Sequence, residues 1–176
     1  MIEKNTSVKS VAYPFGLGYA IFGILTLVLV YILNLKTDSP INYIISFLNI
    51  AVPIGIYWFA IRSFKKQNNN VLSLSLALKA GMSVAVIAAL LIGIYSYFHY
   101  TYIYPEFIEL MKEQQRAAMI NMGQMSEQQI NQSIKSTSFM MNPFFIATSS
   151  LITTLFMGLI ASLIIGLIQK SNNQQG

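Results

Sequence analysis

Residues 144–168 read FFIATSSLITTLFMGLIASLIIGLI, 25 residues without a charge. A hydrocarbon core about 30 Å thick is crossed by about 20 helical residues, so this stretch is long enough to span a bilayer. Three more stretches qualify. Residues 15–35 and 41–61 hold 21 each, and 80–98 hold 19. The runs are too long and too continuous for barrel strands, and only a helix satisfies its own backbone groups in lipid. The expected fold is an all-α integral membrane protein: one membrane domain, 1–176, with four transmembrane helices and an outer helical loop at 99–143.

Composition agrees. The chain has 176 residues, 55% hydrophobic and 10% charged, with mean hydropathy +0.56. Soluble domains carry about 25% charged residues, and a chain this poor in charge could not cover its own surface in water. The absence of cysteine removes disulfides, thiolate metal sites and cysteine nucleophiles.

The net charge of +5 raises nucleic acid as a partner, but the basic residues sit in short segments flanking apolar runs, which is how topology is encoded. The expected partner is the bilayer, not nucleic acid. Lys4 and Lys9, then Arg62, Lys65, Lys66 and Lys79, then Lys170 fall on one side: seven basic residues in short segments. Lys36, Lys112, Arg116 and Lys135 fall on the other, only four despite its longest loop. This bias predicts cytoplasmic N- and C-termini. The first span exceeds the roughly 7–15 residues of a signal-peptide core, and Leu35-Lys36-Thr37-Asp38 offers no small-residue cleavage site, so it is expected to be retained. Aromatic residues mark the interfaces: Tyr13, Phe15 and Tyr19, then Tyr57, Trp58 and Phe59, and outside Tyr95, Tyr97, Phe98, His99, Tyr100, Tyr102 and Tyr104. A sugar- or lipid-binding platform is the alternative use of that tyrosine run.

Span three carries Ala77, Gly81, Ala85, Ala89 and Gly93; span four carries Ser150, Thr154, Gly158, Ser162 and Gly166. Small residues four apart let membrane helices approach closely. The two ladders predict that these helices pack on each other, with self-association into a dimer as the rival. Pro53 leaves the Asn49 carbonyl without its helical donor, which predicts a kink or hinge at Asn49 and Pro53.

In the outer loop, Pro105 reads as the start of a helix, with Glu106 and Glu109 in its first turn. Phe107, Leu110, Met111, Gln114, Ala118, Met122 and Met125 trace a weakly apolar face, and Gly123 breaks it. Ser126 with Gln129 resembles a capping box that opens a second helix through Ile130 and Ile134. A helical hairpin follows, lying against the membrane or standing above it. Met119, Met122 and Met125 are weak candidates for soft-metal ligands, thioethers suiting monovalent copper; methionine as adaptable filler of a helix face is the preferred reading. No metal or other cofactor is expected.

None of the four spans contains Asp, Glu, Lys or Arg. Ionisable residues within membranes mark proton relays, ion paths and substrate sites. A zinc intramembrane protease needs a His-Glu-x-x-His helix, and a serine triad needs a placed histidine; His99 is the sole histidine. The basic loop after Arg62 contains no glycine-rich phosphate motif. It would attract anionic lipid heads, although topology alone accounts for its charge. An enzyme is not expected.

The basic loop leading into Ser73-Leu74-Ser75-Leu76-Ala77-Leu78-Lys79-Ala80-Gly81, then Tyr104-Pro105-Glu106-Phe107, the Gln-rich helical loop, Asn142-Pro143-Phe144 and the ending from Gly158 to Lys170 together resemble a bacterial family of uncharacterised membrane proteins, domain of unknown function 4199. The resemblance covers nearly the whole chain, more strongly after residue 60. Ser75-Leu76 stands where the family often has Gly-Lys, so no role for that second lysine carries over. The resemblance implies four helices and an inner-membrane location, and no activity. The sequence therefore leads to a non-enzymatic inner-membrane protein acting by helix packing or by binding a partner through the outer loop. That partner is a second copy or another membrane or envelope protein. The alternative is a component of a transporter or channel formed on oligomerisation, with Asn49 and Pro53 lining its path.

Overall fold

A computed structural model describes residues 7–35, 39–123 and 125–171. Lys4, Lys36, Thr37 and Asp38, which entered the topology and cleavage-site readings, lie outside the described residues. The described residues form six α-helices in order: α1 Lys9–Ile32, α2 Ile41–Gln67, α3 Leu74–Phe98, α4 Glu106–Met122, α5 Glu127–Thr137 and α6 Pro143–Gln169. Four of them, with α3 continued by a π turn at His99–Ile103, are long and apolar enough to cross a membrane.

These helices outrun the apolar stretches expected from sequence. α1 begins six residues before 15, α2 ends six after 61, and α3 begins six before 80. Hydropathy marks a helix's apolar middle, whereas its polar end turns are fixed by local hydrogen bonds. At the start of α3 the Ser73 Oγ accepts from Leu76 N–H and the Ser73 carbonyl from Ala77 N–H, a serine N-cap. The start of α6 is set in the same way: Asn142 is extended (φ −111°, ψ 155°) and its Oδ1 accepts from Phe145 N–H at 2.8 Å, with Pro143 as first helical residue.

The chain divides into two compact units, Met1–Ile92 with Leu151–Gly176, and Gly93–Ser150. The first unit is built from α1, α2 and the parts of α3 and α6 that fall in it. Its core is unusually small in side chain: Ala60, Ala77, Ala80, Ala85, Ala88 and Ala89 are 0–1% exposed, while Leu25, Phe47, Ile50 and Phe156 are 54–67% exposed. Burial in water favours large apolar side chains. Close helix approach through small residues with bulky residues outside is the arrangement that lipid favours. The buried side chains of α1 and α2 cluster toward one end, from Val11 to Ala20 and from Pro53 to Phe64. At that end Ser10 Oγ donates to Gln67 Oε1 at 2.6 Å, and Leu72 and Ser171 exchange hydrogen bonds through Leu72 N–H to Ser171 Oγ (3.0 Å) and Ser171 N–H to the Leu72 carbonyl (2.9 Å).

In the second unit α4 and α5 pack as a helical pair. Gly123 supplies the left-handed residue (φ 64°) that ends α4. Ser126 and Gln129 form a full capping box at the start of α5: Gln129 N–H donates to Ser126 Oγ, and Ser126 N–H to Gln129 Oε1 at 2.8 Å. Across the pair, Gln115 bonds Thr137, and Arg116 donates to Asn131 Oδ1 at 2.9 Å and pairs with Glu127 at 3.3 Å.

Candidate functional site

The small residues of α3 and α6 meet in antiparallel register. A Cβ built on Gly166 would lie 2.8 Å from the Ala77 Cβ, one on Gly81 would collide with Ser162, and one on Gly158 would lie 2.5 Å from the Ala85 Cβ. Each step of four along α3 is answered by a step of four back along α6. The next pair in this register, Ala89 and Thr154, is buried on both sides. Ser162 is fully buried and returns its hydroxyl to the Gly158 carbonyl at 2.6 Å, so the ladder leaves that polar group satisfied. Gly93 is buried in the second unit. α1 lies against another face of α3, with Gly16 against Ile87 and the Val84 carbonyl, and Gly23 against the Ile92 side chain. Sequence reading missed this second use of glycine, although Gly16 and Gly23, seven apart, carried the signal.

Tyr57 closes the packing from α2. Its ring is 1% exposed, sits edge-on to Tyr19 (5.9 Å, 85°), and its hydroxyl is buried without a hydrogen-bond partner among the described residues. Tyr19 is in turn hydrogen-bonded to Thr154.

Asn49 and Pro53 differ in burial. α2 runs unbroken through Pro53, which is buried, while Asn49 is exposed in a stretch where residues 46–50 are all exposed. Of the outer aromatic run, Tyr97, Phe98 and Tyr102 are exposed at 39%, 51% and 70%. The rings of Tyr95, Tyr100 and Tyr104 pack around His99 of the π turn, which is 1% exposed, at 5.5, 5.1 and 6.2 Å. Tyr104, before Pro105, leaves helical geometry (φ −134°, ψ 57°), as steric conflict with a following proline requires. Met119 is half-buried, whereas Met122 and Met125 are exposed.

One concave site was not read from sequence. Trp58, Arg62, Lys65, Lys66, Asn70 and Gln169 line a cavity of about 280 Å³. α2 presents the first four on successive turns, and α6 delivers Gln169 from more than a hundred residues away. Lys65 Nζ donates to the Gln169 carbonyl at 2.7 Å, placing a cation on the last turn of α6, where the helix dipole favours it. Gln169 Nε2 donates back to the Trp58 carbonyl at 3.3 Å. Asn70 completes the lining from the tight Asn68–Asn70 turn, in which Asn69 and Asn70 have φ 54° and 61° and Ser171 Oγ donates to the Asn70 carbonyl. The signal in sequence was an acid-free Arg-Lys-Lys cluster one to two turns after the sole tryptophan.

Among the described residues no three of His, Cys, Asp and Glu gather as a metal-binding group. The chain is thus a helical protein with four helices of membrane-crossing length and composition, a glycine-packed core and a basic pocket at one end of its first unit. It belongs to the family described as Protein of unknown function (DUF4199), whose model matches residues 14–171. No curated protein and no solved structure matches it.

Proposed function

We propose that this is a multi-pass protein of a bacterial inner membrane, with both termini in the cytoplasm, that catalyses no reaction and acts by binding a protein partner through α4 and α5. One observation carries the reading. No residue of α4 is buried, and Leu110 and Met122 of its apolar face are 39% and 67% exposed. Residues 99–143 hold four glutamates against three basic residues, whereas helices that lie on anionic membranes are rich in Lys and Arg. An apolar stripe without basic excess suits a protein surface better.

A photo-crosslinker at Met122 tests this in cells. Glu113, nine positions earlier, lies on the opposite side of α4 and serves as control. Adducts from Met122 and not from Glu113 are expected. Monomer alone from both positions, or equal trapping from both, would end the proposal. The size of the adduct distinguishes a second copy from a different membrane or envelope protein.

The exposure of Asn49 supports a second reading, a transporter or channel component completed by oligomerisation. An amide side chain facing lipid is costly and is relieved by a neighbouring helix. Flux through proteoliposomes that Asn49→Leu abolishes would favour it; flux equal to that of empty liposomes would count against it.

A further inference from the structure

The described residues of the first unit hold Lys9, Arg62, Lys65, Lys66, Lys79 and Lys170 and no carboxylate. Among these residues the positive charge therefore has no counter-ion. Three of the cations converge on the cavity beside Trp58. A cleft lined by one sign of charge with low-dielectric walls focuses its field on whatever enters. Lys65 spends one donor on the Gln169 carbonyl and has two left. Arg62 and Lys66 are exposed and form no ion pair with the described residues, leaving a guanidinium fork and an ammonium for an incoming anion.

Volume and surroundings narrow the ligand. About 280 Å³ falls at the small end of ligand pockets, enough for a phosphate with a short polar substituent and too small for acyl chains. The pocket lies where α2 passes from its apolar run into charged turns. Its wall includes an indole, the ring that favours headgroup depth.

We propose that this pocket binds a phosphate group, with Arg62, Lys65 and Lys66 as its donors and the headgroup of an anionic phospholipid as the natural source. The assignment of headgroup depth rests on the reading of the long helices as membrane spans; it is independent of any partner at α4 and α5.

Trp58, the sole tryptophan, reports occupancy directly. The full chain is placed in nanodiscs of phosphatidylcholine with increasing phosphatidylglycerol, and its emission is followed. A saturable shift with phosphatidylglycerol is expected, with none in pure phosphatidylcholine. Arg62→Gln with Lys66→Gln should raise the half-saturating fraction about 30-fold. Lys9→Gln with Lys79→Gln, an equal charge loss outside the pocket, should leave it in place. Sodium phosphate against sodium chloride at matched ionic strength separates the sources: a shift with phosphate alone keeps the site and makes a soluble phosphate its ligand. A linear, unsaturating response, no response to either anion, or equal weakening in the two double variants would overturn the proposal. The comparison of the two lipids in the unmodified chain needs no variant, so a folding defect cannot mask the result.

Discussion

The Tyr57 hydroxyl fills the space that a side chain on Gly158 would need: a Cβ there would stand 2.7 Å from that oxygen and 2.5 Å from the Ala85 Cβ. Gly158→Ala must push two helices apart, because neither Ala85 nor the rigid tyrosine ring can rotate away. Overpacking of this kind costs about 1–3 kcal/mol, and Gly158→Leu should prevent folding. Thermal unfolding in detergent, followed by circular dichroism, should show a lower midpoint for the alanine variant; an unchanged midpoint would refute the contact.

Tyr57→Phe should stabilise. The buried hydroxyl makes no hydrogen bond with the described residues, and removing an unsatisfied buried polar group recovers about 1 kcal/mol. Combined with Gly158→Ala, it should offset part of that variant's cost, since one of the two colliding atoms is gone. Strict additivity in the double variant would contradict the geometry.

The antiparallel register can be trapped covalently. The chain has no cysteine, and a Cβ on Gly166 would stand 2.8 Å from the Ala77 Cβ, so a separation of α3 and α6 by about 1 Å brings the pair to disulfide spacing. Ala77→Cys with Gly166→Cys should oxidise to a monomer of altered mobility on a non-reducing gel. Disulfide-linked dimers without that species would favour the self-association reading of the ladders.

Local hydrogen bonds govern α5. Ser126→Ala deletes the hydroxyl that caps it, at about 1 kcal/mol. Amide exchange should quicken across Glu127–Thr137 while α6 keeps its protection. Exchange that is unchanged in α5 would mean that packing, not the cap, sets its stability.

Lys65→Met should loosen the end of α6. The substitution keeps the stem and removes the ammonium that binds the Gln169 carbonyl, a helix-end interaction of about 0.3–1 kcal/mol. Faster exchange at Lys170 and Ser171, whose amides donate to the Gly166 and Leu72 carbonyls, is the expected readout.

Sequence alone determined the features that depend on neighbours along the chain. The four apolar runs, the start of α6 at Asn142-Pro143, the capping box of Ser126 and Gln129, and the small-residue ladders all follow from hydropathy, period or side-chain-to-backbone bonds within a few residues. The polar end turns were hidden because hydropathy is silent where helices leave the apolar run. Tertiary structure decided the rest. It set which rungs meet across α3 and α6, seated Tyr57 against Gly158, and turned Gly16 and Gly23 toward α3. It also buried Pro53 while leaving Asn49 exposed one turn away, and wrapped His99 in tyrosines. It made a pocket from Arg62, Lys65, Lys66 and a glutamine more than a hundred residues distant. Such contacts depend on how separate helices pack against one another, and the periodicity of one helix carries no record of its partner's register.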